Sequence, residues 1–552
     1  MELIVQVKNI YMKNKKIWIL AALGAFTMCY FSYPKLVRWQ IERRVSGVEF
    51  QDVSLNLSGV TLSSVKVDKG WITGNLDTVT SDFQGEHILI EGGSLSVNLN
   101  DRPKQKEEGE KQKRDIQFSG LTVKVTYREY NVSLKEVRSS GDQICFSEAK
   151  VENPALIATD GCLEKERKTA DIEKVKLNEL NFMGVQIKDL AAHKVKLNLN
   201  EKTAEVNSIK AQVTFEKQTA TIEAANAIVF KKTQSAHLDS VKVMHSWLAS
   251  DWTTFKNVEV QHSDKWNLSV GSSHVQVEPE VLNFSGAEDC STWVDSLPSN
   301  LKISPLDQIK FTGKMNFSVG LRPKPSFNLK ADCRAVCSSL PNLRLPFTYT
   351  AYTSKHEPFK RKSGLRTMDW LAIELMGDMP LAAKMMEDPG FDHHRGFISQ
   401  AFANSLTDNL KEGKFFRGGS TITMQLAKNI WLTRDKTLGR KAQEFFLAQA
   451  LESCYSKDEI LELYLNVVEF GPNKYGAASG ARYWFKKSPG ELSPAEAFWM
   501  ASILPRPSKT NPPDGSSLKR IEGLMKKMAI DGRIPDSMLD IIGEHEEYPS
   551  EN

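Results

Sequence analysis

Nowhere does this sequence concentrate charge of one sign: 72 lysines and arginines face 68 acids, leaving a net +4 spread over 552 residues. Without a dense basic face or a binding motif beside it, nucleic acid is not an expected partner. Cysteine is scarce, at 7 residues, and no histidine lies near a cysteine pair, so no zinc site is expected. Nor is the composition that of a disordered chain, since 41% hydrophobic and 25% charged residues are ordinary for folded material. The length is too great for one core and implies two or three folded units.

The apolar run that stands out is Ile17 to Tyr33, slightly short for a bilayer but bearing Trp18, Tyr30 and Tyr33, which favour membrane interfaces. A cleavable signal peptide is the rival, but no A-x-A-like site follows, and Phe26-Thr27-Met28 before Cys29 makes a poor lipoprotein signal. An uncleaved anchor at 17–33 is therefore expected, with 1–16 cytoplasmic. Lysines 8, 13, 15 and 16 precede it and Lys35, Arg38, Arg43 and Arg44 follow, so charge does not orient it. Of the six cysteines outside this run, Cys145 and Cys162 flank a turn-rich stretch and form one candidate disulfide, Cys333 and Cys337 another. Free buried thiols are the alternative.

Two periods divide the rest. From residue 45 to 335 apolar residues alternate with polar ones, as at Val53, Leu55 and Leu57, at Leu121, Val123, Val125 and Tyr127, and at Val195, Leu197 and Leu199. Alternation gives each strand one apolar and one wet face, and Ser58-Gly59 and Gly92-Gly93 supply turns. An elongated antiparallel β-rich domain is expected, with Arg102 to Arg114 as an exposed loop. Its strand–glycine–strand texture weakly resembles AsmA-like envelope proteins, which implies either a lipid-facing groove or a spacer. Prolines, aromatics and basic residues at 336–364 read as a linker. Beyond it the period is helical: Pro380 opens a helix stopped by Pro389-Gly390, and Ser456 with Glu459 and Ser493 with Glu496 match capping boxes.

Five stretches of this helical half carry chemistry. They are Glu387-Asp388-x-x-Phe391-x-x-His394-x-Gly396; Gly419-Ser420-Thr421-Ile422-Thr423-Met424-Gln425-Leu426-x-Lys428-Asn429; Arg440-Lys441-x-x-Glu444; Ile460-Leu461-Glu462-x-Tyr464-Leu465-Asn466; and, more weakly, Pro505-Arg506-Pro507-Ser508 through Asn511-Pro512. In this order they resemble the motifs of the family 51 glycosyltransferases, the lysozyme-like polymerases of penicillin-binding proteins and monofunctional transglycosylases. The resemblance implies a mainly α-helical lysozyme-like domain at 365–532 and an acidic tail at 533–552. The whole is then a multidomain chain: transmembrane helix, β-rich domain, helical glycosyltransferase.

The residue types suit that chemistry. Displacing a diphosphate with a sugar hydroxyl needs a base, and cations or N–H donors for the leaving group. Glu387, at the abrupt end of an apolar helix, is the expected base on the acceptor's 4-hydroxyl. Glu444 matches the family's second acid, which orients substrates or polarises the donor diphosphate. Lys428, Lys436, Arg440 and Lys441, with Ser420, Thr421, Gln425 and Asn429, are expected to cradle the diphosphate. Asp388 either positions Glu387 or assists a divalent ion (Mg2+ or Mn2+), while Phe391, His394, Gly396, Glu462, Tyr464 and Asn466 are expected to shape the cleft.

Two positions depart from the family: Met424 stands where glutamine is usual, and Lys436 where arginine is common. A transpeptidase is not expected, because Ser516-x-x-Lys519 lacks S-x-N and K-T-G partners. The resemblance implies lipid II and a nascent glycan strand as substrates, the inner membrane as location with the catalytic part outside, and separate transpeptidases or other cell-wall enzymes as partners. A lytic muramidase on the same scaffold, or an envelope lipid-handling or scaffolding protein with an inactive enzyme domain, are the alternatives.

Overall fold

The computed structural model describes Arg38, Arg43 and residues 46–540, apart from 57, 83–85, 103–114, 153–154, 183–184, 216–217, 264, 279–282, 321–325, 354, 356, 365–369, 413–418 and 510. The expected anchor at 17–33 and the loop at 103–114 lie outside the described residues, as does the tail beyond 540. Among the described residues no helix is long and apolar enough to cross a membrane. The chain divides into two units, 1–241 and 242–552.

The first unit is β-rich. Its longest strands, Thr169–Phe182, Val185–Asn198, Thr203–Phe215 and Gln218–Phe230, pair antiparallel in chain order. Two pairings depart from the antiparallel expectation: His87–Glu91 runs parallel to Asp115–Ser119, and Ser94–Asn98 parallel to Leu121–Tyr127. The alternation read from the sequence buries one face, with Val65, Leu76 and Leu121 at its centre. Several strand residues that are not glycine adopt left-handed backbone near φ +50°: Glu136, Asp160, Asp189, Lys194 and Asn226. The strand registers shift at Glu136 and Asp189, which marks bulges that bend the strand locally.

The second unit starts well before the expected boundary at 335. It opens with antiparallel strands from Thr253–His262 to Ser326–Ala331 and a short helix α1 (Cys290–Asp295). Helices α2 (Met379–Glu387), α3 (Ser399–Glu412), α4 (Ile422–Trp431), α5 (Leu438–Cys454) and α6 (Lys457–Val467) follow, then α7 (Ala477–Trp484), α8 (Pro494–Ser502), α9 (Gly515–Ile530) and α10 (Ser537–Asp540). The strands share a core with the helices because their aromatic residues meet: Phe327 lies tilted against Phe402, and Phe311 meets Phe446 edge to face, with ring centroids 4.6 and 5.7 Å apart. Ser456 and Ser493 form the capping boxes read from the sequence. Helix α5 is apolar on nearly every side beyond its second turn, and it is correspondingly buried.

Three expectations change here. The stretch 336–364 is not a bare linker: Phe347–Tyr352 and Pro358–Ser363 form a hairpin, and the aromatic residues that suggested a linker alternate into the core. Tyr349 is 2% exposed and its hydroxyl donates to the Val467 carbonyl. The tail does not begin at 533, since Ile534 and Met538 are buried in the helical core. Cys145 and Cys162 do pair, across adjacent strands, but Cys333 and Cys337 do not bond each other. Cys333 is bonded to Cys290, and Cys337 to Cys454 at the end of α5.

The Cys337–Cys454 bond closes a loop of 117 residues. Its removal should release much denatured-state entropy, roughly 3–5 kcal/mol. The Cys337→Ser/Cys454→Ser double variant is therefore expected to melt well below the parent in non-reducing buffer. Equal melting temperatures would show that the crosslink contributes nothing.

Candidate active site

The site is assembled from the ends of helices. Asp388 follows the last residue of α2 with φ −155° and ψ 73°, which breaks the helix and turns its side chain inward. At 3% exposure its carboxylate accepts the Ile422 N–H, the first of α4, at 3.0 Å. It also lies 2.9 Å from His394 Nε2. His394 Nδ1 accepts the Gly396 N–H at 3.0 Å, so the ring proton sits on Nε2 and is donated to Asp388. Gly396 adopts φ +76° and packs so closely that a Cβ would stand 2.8 Å from Glu452 Cγ, which explains the glycine. Thr421 caps α4, accepting the Met424 N–H and donating to the Gly396 carbonyl at 2.7 Å.

This tie between α2 and α4 leaves Glu387 opposite Gln425. The Gln425 amide donates from Nε2 to Glu387 Oε2 at 2.7 Å, while its Oε1 accepts the Tyr464 hydroxyl at 3.0 Å. Tyr464 is fully buried, and burial together with the Glu387 and Asp388 charges holds its phenol well above the usual range, so it remains a donor. Tyr464 thereby fixes which end of the amide faces Glu387. Burial pushes the Glu387 carboxyl up; the Gln425 bond and the Lys428 charge oppose this, and Asp388 adds to it.

Cations gather beside the carboxylate. Burial and the charges of Arg440 and Arg434 push the Lys428 ammonium down to about 8, with Glu387 opposing. Glu444, 1% exposed, accepts from both Arg440 and Lys441, the latter at 2.7 Å. Lys441 also donates to the Ser420 hydroxyl, and Arg440 to the Asp435 carbonyl. Burial and the neighbouring Arg440 and Lys428 push Lys441 down to about 7. Asn429 and Lys428 line a shallow cleft walled by Tyr349, Tyr352, Arg434 and Tyr475.

The structure thus gathers Glu387, Ser420, Gln425, Lys428, Arg440, Lys441 and Glu444, and sets other expected residues apart. Phe391, at 1% exposure, lies beneath the Lys457 ammonium rather than in a cleft. Glu462 accepts from Trp370 Nε1 and the Ile373 N–H, and Asn466 bonds both the N–H and the carbonyl of Leu371. Both side chains clamp the segment at 370–373 onto α6. Asp388 and Thr421 are occupied as helix ties, so neither is open to a diphosphate. Both Asp388 oxygens lie within hydrogen-bond distance of His394 Nε2, and one of them also accepts the Ile422 N–H. Met424, where the sequence departs from the family, is fully buried.

Lys436 is exposed, whereas Arg434 is close enough to act on Lys428. Arg434 pairs with Glu469 at 3.3 Å and stacks over Tyr352 at 4.5 Å. Sequence reading passed over it because the recognisable position is two residues later. Glu469, which also accepts from Ser508 at 2.6 Å, was missed for the same reason: it lies outside the recognisable motifs, in the strand Glu469–Gly471. Chemically, a carboxylate with a raised pKa can take a proton from a hydroxyl, and the cations beside it can hold an anionic leaving group.

Residues 366–529 match the family model described as Transglycosylase. A biosynthetic peptidoglycan transglycosylase from Alcanivorax borkumensis is 40% identical over 179 residues, which are 32% of this chain and 73% of that protein. Its namesake from Pasteurella multocida is 39% identical over 174 residues, 31% of this chain and 70% of the relative. One from Rhodopseudomonas palustris is 44% identical over 143 residues, covering 26% and 63%. The family model covers the helical part that holds the Glu387 cluster, and by these relatives the chain belongs to the peptidoglycan transglycosylases, which are glycosyltransferases.

Proposed function

We propose that the chain polymerises lipid II into glycan strands, with a growing strand on undecaprenyl diphosphate as donor and lipid II as acceptor. Glu387 takes the proton of the acceptor's 4-hydroxyl. That oxygen attacks the anomeric carbon of the donor MurNAc with inversion, forming the new glycosidic bond as the bond to the diphosphate oxygen breaks. The departing undecaprenyl diphosphate carries the electron pair and is stabilised by Lys428, Arg440 and Lys441, with Ser420 as a neutral donor. The observation that carries this reading is the chain from Tyr464 through Gln425 to Glu387, which holds an elevated carboxyl beside a buried, partly uncompensated lysine. In this reading Glu444 acts as the counter-ion that keeps two cations in place, and the enzyme works with separate transpeptidases.

The inner membrane is the proposed location, with the apolar run at 17–33 as a single-pass anchor and both units on the outer side. Substrates confined to that membrane favour an enzyme held on the same surface. The three disulfides among the described residues support an oxidising compartment.

Glu387→Gln keeps the shape and the Gln425 contact but removes the base. It is expected to lower the rate of glycan formation from lipid II at least ~100-fold with an unchanged melting temperature. A variant of near-normal activity sinks the base assignment, and a parent protein that releases fragments from sacculi but makes no glycan favours the lytic alternative.

The rate should rise with pH as Glu387 ionises, through a midpoint above the ordinary glutamate value, and fall from about 7 to about 8 as Lys441 and then Lys428 lose their protons. Lys428→Arg, whose guanidinium stays charged, should lessen the alkaline fall to the part that Lys441 contributes. Gln425→Leu removes a bond that favours the ionised Glu387, so the acid limb should move to higher pH. Alkaline limbs that coincide in the parent and Lys428→Arg would remove Lys428 from this account.

A further inference from the structure

Helix α5 bears Arg440, Lys441 and Glu444 in its first two turns, yet both its ends are held by residues outside the family match at 366–529. The first N–H groups of a helix have no partner within it. Here the Leu438 N–H donates to the Trp247 carbonyl at 2.6 Å, and the Gly439 N–H to the Leu248 carbonyl at 3.0 Å. The Thr437 hydroxyl takes the next available group, the Arg440 N–H, at 3.2 Å. Packing at this junction is equally close: a Cβ on Gly439 would stand 2.3 Å from Leu301 Cδ2 and 2.6 Å from the Leu248 carbonyl oxygen. The turn that presents these carbonyls is itself closed, since the Leu248 and Ala249 N–H groups both donate to the His245 carbonyl, and Trp247 is buried at 8% exposure. At the far end of α5 the Cys337–Cys454 bond and the Arg344 guanidinium, which donates to the Cys454 carbonyl at 3.1 Å, make the second attachment.

We propose that the turn at 245–249 is a positioning element of the active site: it sets the location of the N-terminus of α5 and, through it, of Arg440, Lys441 and Glu444 relative to Glu387. The inference rests on the polymerase reading above and assigns that reaction an organising element which the family-matched region does not contain. Arg440 is the residue next to Gly439, so a displacement of the junction is passed directly to the guanidinium. Misplacement by about 1 Å can cost ~100-fold in rate. The disulfide, by contrast, acts some 20 Å away at a rise of about 1.5 Å per residue, and serves stability.

A pair of substitutions in the full-length protein separates the two roles. Proline is well tolerated at the first position of a helix, and Thr437 before it is already extended at φ −129° and ψ 155°. Leu438→Pro therefore preserves α5 while deleting the N–H to Trp247 and pushing its carbonyl away. Leu438→Ala keeps the N–H and loses only side chain. Leu438→Pro is expected to lower kcat with lipid II by ten- to a hundredfold relative to Leu438→Ala, with little change in KM or melting temperature. A second readout does not depend on polymerisation: the pH dependence of Lys428 acylation by an amine reagent, followed by mass spectrometry. Arg440 and Arg434 hold this ammonium down and Glu387 raises it, so withdrawal of Arg440 should move the midpoint up from about 8. Identical kcat and identical Lys428 midpoints in the two variants would overturn the proposal. If the parent protein makes no glycan, the polymerase reading fails, and the Lys428 midpoints still decide whether the turn places the cations.

Discussion

The Asp388 carboxylate, 3% exposed, joins the end of one helix to the start of another by accepting the Ile422 N–H, and it holds His394 at the same time. Much of the site depends on this contact. It fixes where α2 stops relative to α4, and so sets Glu387 opposite Gln425, one turn into α4. A carboxylate at a helix N-terminus meets N–H groups that lack partners and the positive end of the macrodipole, which offset the cost of burying it. The neighbouring acid is left without such compensation. Two adjacent carboxylates thus receive different environments: Asp388 accepts from His394 and the Ile422 N–H, while Glu387 accepts one hydrogen bond from the Gln425 amide and has a carboxyl pushed up by burial.

The cationic side of the site is built against the usual electrostatic preference. Arg440 and Lys441 stand in the first turn of α5, where cations oppose the helix dipole at roughly 0.3–1 kcal/mol each. Burial and mutual repulsion add to this, as the lowered values for Lys428 and Lys441 show. One carboxylate, Glu444, is shared between two of the cations, which leaves a surplus of positive charge. An anionic leaving group would relieve that surplus, so the strain in the resting protein is matched to charge that develops during the proposed reaction.

The local signals in the sequence were legible because they depend on neighbours along the chain. Ser456, Ser493 and Pro380 announce helix starts by capping chemistry, and alternation at Leu121 and Val123 announces a strand. Which residues gather around Glu387 was legible in part, through motif spacing. Which of them face inward was not: Thr421, Glu462 and Asn466 lie in the same motifs as Gln425 and Tyr464, but their partners, Gly396 and the segment at 370–373, are distant in sequence. Cys333 and Cys337 illustrate the same limit, since proximity in sequence suggested a pair and the fold gave each a remote partner. Glu136 and Lys194 of the β-rich unit carried no signal for their left-handed backbone, because glutamate and lysine are not residue types that favour it.

The helix ends also show why the catalytic part of this chain extends beyond its recognisable motifs. Helix α4 obtains its first acceptor, Asp388, from within the matched family region. Helix α5 starts with the same deficit, made worse by cations in its first turn, and obtains two acceptors from Trp247 and Leu248, far outside that region. A carboxylate at that position would satisfy the N–H groups too, but its full charge would add to Glu444 and neutralise the surplus on which anion binding depends. Backbone carbonyls supply acceptors with only partial charge. They satisfy the helix and leave the cations available. That distinction gives the β-rich part of the second unit a physical reason to pack where it does, and it locates the reason at a single turn rather than across the whole surface.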